Sequence, residues 1–277
     1  MIVLAAGMGT RFGGPKQLVP IGPSGETILD YNTHDAAAAG FDRIVVVTRP
    51  ELDADVTRVV ANGVGHIADV CVALQQIPSG RSRPLGTADA VAAAADLVDG
   101  PFGVANADDL YGPHSFEVLH DHLRAATAVA AVVGFPLDET VPPAGAVSRA
   151  ILDAADDGVV SAVVEVHGIE RAPGGGWLPE QVPDLGPLTG DELISLNLWG
   201  FPADAMGAIH DAVRRFVAAG ADGEIYLPVE VSKLVAAGRL RLIVLKSTER
   251  WAGITNPEDL AVARAHAAAR WPSPLWR

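Results

Sequence analysis

Two clusters of residues in the first half of the chain are of types that handle phosphate. The run Leu4-Ala-Ala-Gly-Met-Gly-Thr-Arg-Phe-Gly-Gly-Pro-Lys-Gln17 sets glycines at 7, 9, 13 and 14 around two cations, Arg11 and Lys16. Glycines let a backbone turn at positive φ and expose consecutive N–H groups, a concavity that suits phosphate oxygens. Paired cations beside such a turn match a polyphosphate. The run is neither a P-loop, since it has no Gly-Lys-Ser/Thr, nor a Gly-x-Gly-x-x-Gly turn with a helix directly behind it. The second cluster, Val104-Ala-Asn-Ala-Asp-Asp-Leu-Tyr-Gly112, puts Asp108 and Asp109 at the end of an apolar run. Carboxylates beside a phosphate loop are donors that Mg²⁺ uses together with substrate phosphates. Between the clusters, Gln75 precedes Pro84-Leu-Gly-Thr-Ala-Asp-Ala90, and its amide can both donate to and accept from a nucleobase edge.

These residues need elements to position them. β-Branched runs at Ile2–Ala6, Arg43–Thr48, Val70–Leu74, Phe102–Ala107 and Ala128–Phe135 read as strands. Alanine-rich amphipathic stretches at Thr27–Ala39, Asp53–Asn62, Ala88–Leu97 and Ser115–Ala125 read as helices, the first closed by Gly40. The alternation predicts a mostly parallel sheet covered on both faces, with ligands at the carboxyl ends of its strands. From Ala146 the rhythm changes: Val147–Leu152 and Val159–Val166 flank Asp157-Gly158, a hairpin signal for an antiparallel insertion. The Gly/Pro-rich stretch from Ala172 to Gly190 reads as a loop that orders on binding, with Trp177 available to cover an acceptor. Strand Ile194–Phe201, helices Ala203–Ala219 and Ile225–Ala237, strand Leu240–Lys246 and helix Pro257–Arg270 complete the pattern.

A chain of 277 residues suits one α/β domain. Its net charge of −14 excludes a surface that grips nucleic acid through phosphates. Cys71 is the single cysteine, so no intramolecular disulfide and no cysteine-built zinc site can form. The start MIVLAAG reads as a buried strand rather than a signal peptide, and no apolar run is long enough to span a bilayer, so the expectation is a cytoplasmic protein without membrane partners. Trp199, Trp251, Trp271 and Trp276 read as packing residues.

The order Gly-x-Gly-Thr-Arg, spacer, Pro-Lys, then Leu-Gly-Thr-Ala, then the strand-end Asp resembles the sugar-phosphate nucleotidyltransferase (nucleotide-sugar pyrophosphorylase) family, from the first strand to about residue 260. The short spacer Phe12-Gly-Gly-Pro15 and the run Thr255-Asn-Pro-Glu-Asp259 are similar to the cytidylyltransferase and molybdenum-cofactor branches. The resemblance implies a three-layer α/β/α, Rossmann-like, mixed but mostly parallel sheet of the nucleotide-diphospho-sugar transferase type, with a small antiparallel acceptor-binding insertion. It implies a single domain over 1–277: a nucleotide half at about 1–135, an acceptor half at about 136–260, and a C-terminal helix and tail at about 257–277. The implied activity is Mg²⁺-dependent transfer from a nucleoside triphosphate to a phosphorylated small molecule, a sugar 1-phosphate before a polyol phosphate or phosphonate. A homo-oligomer stays open.

Carried over by position, the catalytic roles fall on Arg11, Lys16 and Asp108, and nucleotide binding on Ala5, Ala6, Gly7, Gly9, Thr10, Gln75, Gly86 and Thr87. Metal binding falls on Asp108 and Asp109, with Thr255 and Asn256 as further shell groups, although Asn256 also reads as a helix cap. Acceptor binding falls on Glu165, Asn197 and Arg171. Many members follow that Glu with a phosphate-binding Lys; here Val166 follows, which leaves Arg171, Arg149 or Lys246 to supply the cation.

Overall fold

The computed structural model describes every residue except Thr10, Arg11, Ile67, Ala126, Thr127, Pro143, Ala144, Asp184, Trp276 and Arg277. In chain order the elements are β1 (Ile2–Leu4), α1 (Ile28–Ala39), β2 (Arg43–Thr48), α2 (Asp53–Asn62), β3 (Asp69–Leu74), α3 (Thr87–Ala92), β4 (Phe102–Asn106), β5 (Asp109–Leu110) and α4 (Pro113–Arg124). There follow β6 (Val129–Pro136), β7 (Val147–Ala154), β8 (Val160–Arg171), β9 (Trp177–Leu178), β10 (Leu193–Phe201), α5 (Ala205–Ala218), α6 (Leu227–Ala236), β11 (Arg241–Lys246), β12 (Ala252–Gly253) and α7 (Asp259–Arg270).

β3, β2, β1 and β4 lie side by side in parallel. β10 runs antiparallel to both β4 and β6, and β6 carries β11 in parallel, so only β10 is reversed in this part of the sheet. Parallel strands buried on both faces need continuous apolar runs, and Ile2, Val3, Val45, Val46, Val104 and Val132 are almost fully buried. One face packs against α1, α2 and α4 through Leu29, Val56 and Phe116; the other packs against α3, α5 and α6 through Val91, Ile209 and Val231. The sheet is therefore mixed, largely parallel and sandwiched in three layers, as the alternating pattern predicts.

α1 starts with a reciprocal capping box between Thr27 and Asp30 and ends on Gly40 at φ 108°. The helix expected over Ala88–Leu97 is interrupted: α3 stops at Ala92, and the bonding tightens to i→i+3 steps from Ala94 to Val91 and from Leu97 to Ala94. The stretch from Ala172 to Gly190 also differs from expectation. Buried Trp177, Val182 and Leu188 anchor it, and Trp177 pairs with Arg171 across β8 and β9, so this Trp packs inside the insertion and does not cover an acceptor.

β10 joins the two halves. Its end pairs with β4, while its start pairs with β7 of the antiparallel β7–β8 unit, and its register with β6 shifts between Ser195 and Trp199. Asn197 sits in that shift at φ 64°, the one positive-φ non-glycine residue among those described.

Candidate active site

The adjacent carboxyl ends of β1 and β4, with the loop after β3, enclose a cleft of about 350 Å³. Of the nucleotide-binding residues expected from sequence, Ala6, Gly7, Gly9, Gln75, Gly86 and Thr87 line it, together with Asp108 and Asn197. Ala5 stays buried behind the loop, and Thr10 and Arg11 lie outside the described residues.

Two buried side chains fasten the glycine loop from behind. Gln17 donates to the Ala5 carbonyl at 2.7 Å, and Arg49 donates through Nη1 to the carbonyls of Ala6 and Gly7 at 3.1 and 2.7 Å. Gly9 has φ 59°, and a Cβ there would collide with the Gly14 carbonyl oxygen, so this corner of the loop requires glycine. Arg49, at the end of β2, was not foreseen from sequence, because its partner lies across a strand pairing that only the sheet order creates.

Lys16 forms an ion pair with Asp108 and donates to the Ile254 carbonyl at 2.6 Å. Ile254 N–H in turn donates to the Asp108 carbonyl at 3.0 Å, and β12 pairs with β5, so the segment after Trp251 is brought to the acidic turn. Asp109 faces a different environment. Its Oδ1 accepts from Trp251 Nε1 at 3.0 Å and its Oδ2 from Asn106 Nδ2 at 2.8 Å, with the Tyr111 hydroxyl at 3.4 Å. Burial, then the neighbouring Asp108 charge, push its carboxyl up to about 7, against the pull of Asn106, Lys16 and Trp251. Each Asp109 oxygen thus holds a protein donor, and Asp108 is the carboxylate of the pair that lines the cleft. Asn32 holds the turn from below, donating to the carbonyls of Asn106 and Asp109. Thr255 and Asn256 both donate their backbone N–H to Asp259 Oδ2 at 2.7 Å, which ties down the segment before α7, and the helix takes no side-chain cap from Asn256.

The Gln75 amide is fixed. Its Nε2 donates to the Gly86 carbonyl at 2.9 Å and to Asp89 Oδ2 at 2.8 Å, which commits the nitrogen and leaves the carbonyl oxygen to face a ligand. Thr87 Oγ1 accepts from Leu227 N–H, pinning this pocket wall to α6. Arg83, Asn106 and Glu224 also line the cleft. Arg83 stands next to the Pro84-Leu-Gly-Thr run, but its reach into the cleft depends on the fold.

In the acceptor half, Glu165 lies on β8 opposite Ala150, and its charge acts on Tyr226 alongside those of Glu224 and Arg83 at the cleft mouth. Burial raises its carboxyl, with His167 and Arg149 opposing. Arg171 is not brought to this mouth. It lies six residues further along β8, roughly 20 Å at strand rise, and donates through Nη1 and Nη2 to Asp138 at 2.8 Å each, stacked on Trp177. Lys246 is exposed at the end of β11. Arg149 is the cation that the fold buries near the acidic turn: its guanidinium lies 5.4 Å from the Trp251 ring centre and feels the charges of Asp109 and Glu165. Trp251, read from sequence as packing, is part of this site.

A glycine loop fastened from behind, a Lys–Asp pair at adjacent strand ends and a small-residue pocket define an NTP-transferase site. The family profile of the MobA-like NTP transferase domain matches residues 1–168, and the chain belongs to that family. The chain is 32% identical over 95% of its length to the bifunctional protein GlmU of Gluconacetobacter diazotrophicus and 28% identical over 98% to that of Corynebacterium jeikeium. It spans about half the length of these curated relatives, 50% of each. A crystal structure of a Bacillus anthracis protein described as a glucose-1-phosphate thymidylyltransferase, in complex with sucrose, shares the fold at a TM-score of 0.68. It is 14% identical, and the match covers 96% of this chain and 94% of that one.

Proposed function

We propose that the protein transfers a nucleoside monophosphate from a nucleoside triphosphate to a phosphorylated small molecule, a sugar 1-phosphate first, and releases pyrophosphate. The observation that carries the reading is the pairing of Lys16, just past the glycine loop, with Asp108, just past the end of β4. Such a pair would offer a cation and a metal-holding carboxylate to one phosphorus. Asp108 fits Mg²⁺ as a protein carboxylate complemented by substrate phosphates and water; Asp109, bonded to Asn106 and Trp251, would support it from behind. When bound, the ion would neutralise charge on the triphosphate.

The chain's own residues supply the rest. The glycine loop presents backbone donors to the phosphates, and Arg11 adds a charge suited to the leaving pyrophosphate. Lys16 is held in place by the Ile254 carbonyl, and its charge would act on the phosphate at the reacting centre. No general base is needed, because a phosphate monoester is ionised at neutral pH and attacks the α-phosphorus in line; the acceptor oxygen–phosphorus bond forms as the bond to pyrophosphate breaks. Gln75 offers an acceptor oxygen to a base that carries an N–H donor. The sugar acceptor is supported by Asn197 in the cleft wall, by Glu165 on the neighbouring insertion and by the GlmU relatives; transfer to a polyol phosphate or phosphonate is favoured instead by Val166 after Glu165. The test is a matrix of four nucleoside triphosphates against sugar 1-phosphates, polyol phosphates and phosphonates, read by pyrophosphate release with and without Mg²⁺. Release with a sugar 1-phosphate supports the reading. Release only with the other acceptors replaces its acceptor, and none with any pair defeats it.

A further inference from the structure

Resting on that reading, we infer that Arg149 is the residue that binds the acceptor's tetrahedral oxyanion, a phosphate monoester or a phosphonate, and so selects the acceptor. Glu165 and Val166 bring no cation to this level of β8, and Arg149 stands directly across the β7–β8 pairing from Val166. The cation at this level of the insertion therefore comes from β7.

Arg149 is also connected to the reacting centre. Its guanidinium rests on Trp251, Trp251 Nε1 bonds Asp109, and Asp109 follows the carboxylate paired with Lys16. Three of its five N–H groups are spent: Nε donates to Thr140 Oγ1 at 3.4 Å, Nη2 to the Thr140 carbonyl, and Nη1 to the Ser148 carbonyl at 3.0 Å. Among the described residues one N–H is left on each terminal nitrogen, and two such donors can hold two oxygens of one phosphate. The nearby carboxylates do not consume that fork by hydrogen bonding: Asp109 is satisfied by Asn106 and Trp251, and no bond joins Glu165 to Arg149 among the described residues. Arg171 makes the contrast, since its guanidinium is ion-paired with the Asp138 carboxylate and lies further along β8, away from the acidic turn.

The experiment compares Arg149→Ala, Arg149→Lys and Arg171→Ala by steady-state pyrophosphate release, each at saturating triphosphate with varied acceptor and the reverse, with melting temperatures recorded. Losing a charged hydrogen-bond donor should raise the acceptor KM of Arg149→Ala on the order of 30-fold or more, with the triphosphate KM shifted less than about threefold. Arg149→Lys should fall between, and Arg171→Ala should stay near wild type. An equal rise in both KM values, or a loss confined to kcat, would overturn the assignment. A second readout does not need turnover: inorganic phosphate is titrated against the nucleotide-loaded protein by tryptophan emission. The response should persist in Arg171→Ala and weaken clearly in Arg149→Lys, the variant that keeps the charge should the Ala variant fail to fold. An undiminished response in Arg149→Lys overturns the proposal even if wild type turns over no acceptor, the outcome that would defeat the nucleotidyl reading separately.

Discussion

The glycine loop and the acceptor insertion hold charge in opposite ways. In the loop, residues 5–9 are shaped by backbone, and the fixing groups, Gln17 and Arg49, bond carbonyls from behind so that the loop's other side faces the cleft. In the insertion, the working groups are side chains on strands, Glu165 on β8 and Arg149 on β7, whose positions follow from pairing register. A loop fixed through its carbonyls tolerates change in the fixing groups poorly but asks little of the ligand beyond phosphate. A strand surface sets its side chains by register, as Arg149 standing opposite Val166 illustrates. The comparison teaches that the loop is fixed through its backbone, whereas the insertion presents side chains that single substitutions can change one at a time.

The sharpest way to break that comparison is at the triphosphate end. Asp108→Asn removes the open carboxylate and should lower kcat on the order of 1,000-fold with an unchanged melting temperature; near-normal turnover at saturating Mg²⁺ removes Asp108 from the metal site. Lys16→Ala should cost about 2–4 kcal/mol of transition-state stabilisation, seen in kcat for every acceptor. If only an acceptor KM moves, Lys16 belongs to the acceptor half and the division between the two ends fails. Gly9→Ala should destabilise the fold by about 1–3 kcal/mol, measured by denaturant unfolding, because its φ of 59° and the Gly14 carbonyl leave no room for a Cβ.

A further effect is a pH dependence at the seam of the two ends. Asp109 titrates at about 7 in the fold against an ordinary value of 3.8, so between those values the folded protein holds a proton that the unfolded chain has lost. Its contribution to stability therefore declines as pH rises from about 4 to 7. In Mg²⁺-free urea titrations, wild type should lose stability relative to Asp109→Asn over that window. A constant difference would show that the carboxyl titrates normally.

The nucleotide half was largely legible because its signals are local. Arg43–Thr48 and Asp53–Asn62 form with the boundaries their sequence predicts, since a β-branched run and an amphipathic period each specify one element. The Thr27 cap and Gly40 stop were readable for the same reason. What escaped was long-range. Arg49 reaches the loop only because β2 lies beside β1, and Trp251 reaches Asp109 only because β12 pairs with β5. Choosing Arg149 over Arg171 required knowing which level of β8 meets β7, which no periodicity records. Asn197 gave no sign of its left-handed backbone, since that conformation is imposed where β10 changes neighbours between β4 and β7.

The central claim is that an acceptor phosphate oxygen attacks the α-phosphorus. It is tested most directly by supplying the accepted substrate with ¹⁸O in its phosphate and analysing both products by mass. The account predicts that all of the label stays in the nucleotide-linked product, with unlabelled pyrophosphate formed in equal amount. Label in pyrophosphate, or release of orthophosphate in its place, would contradict it.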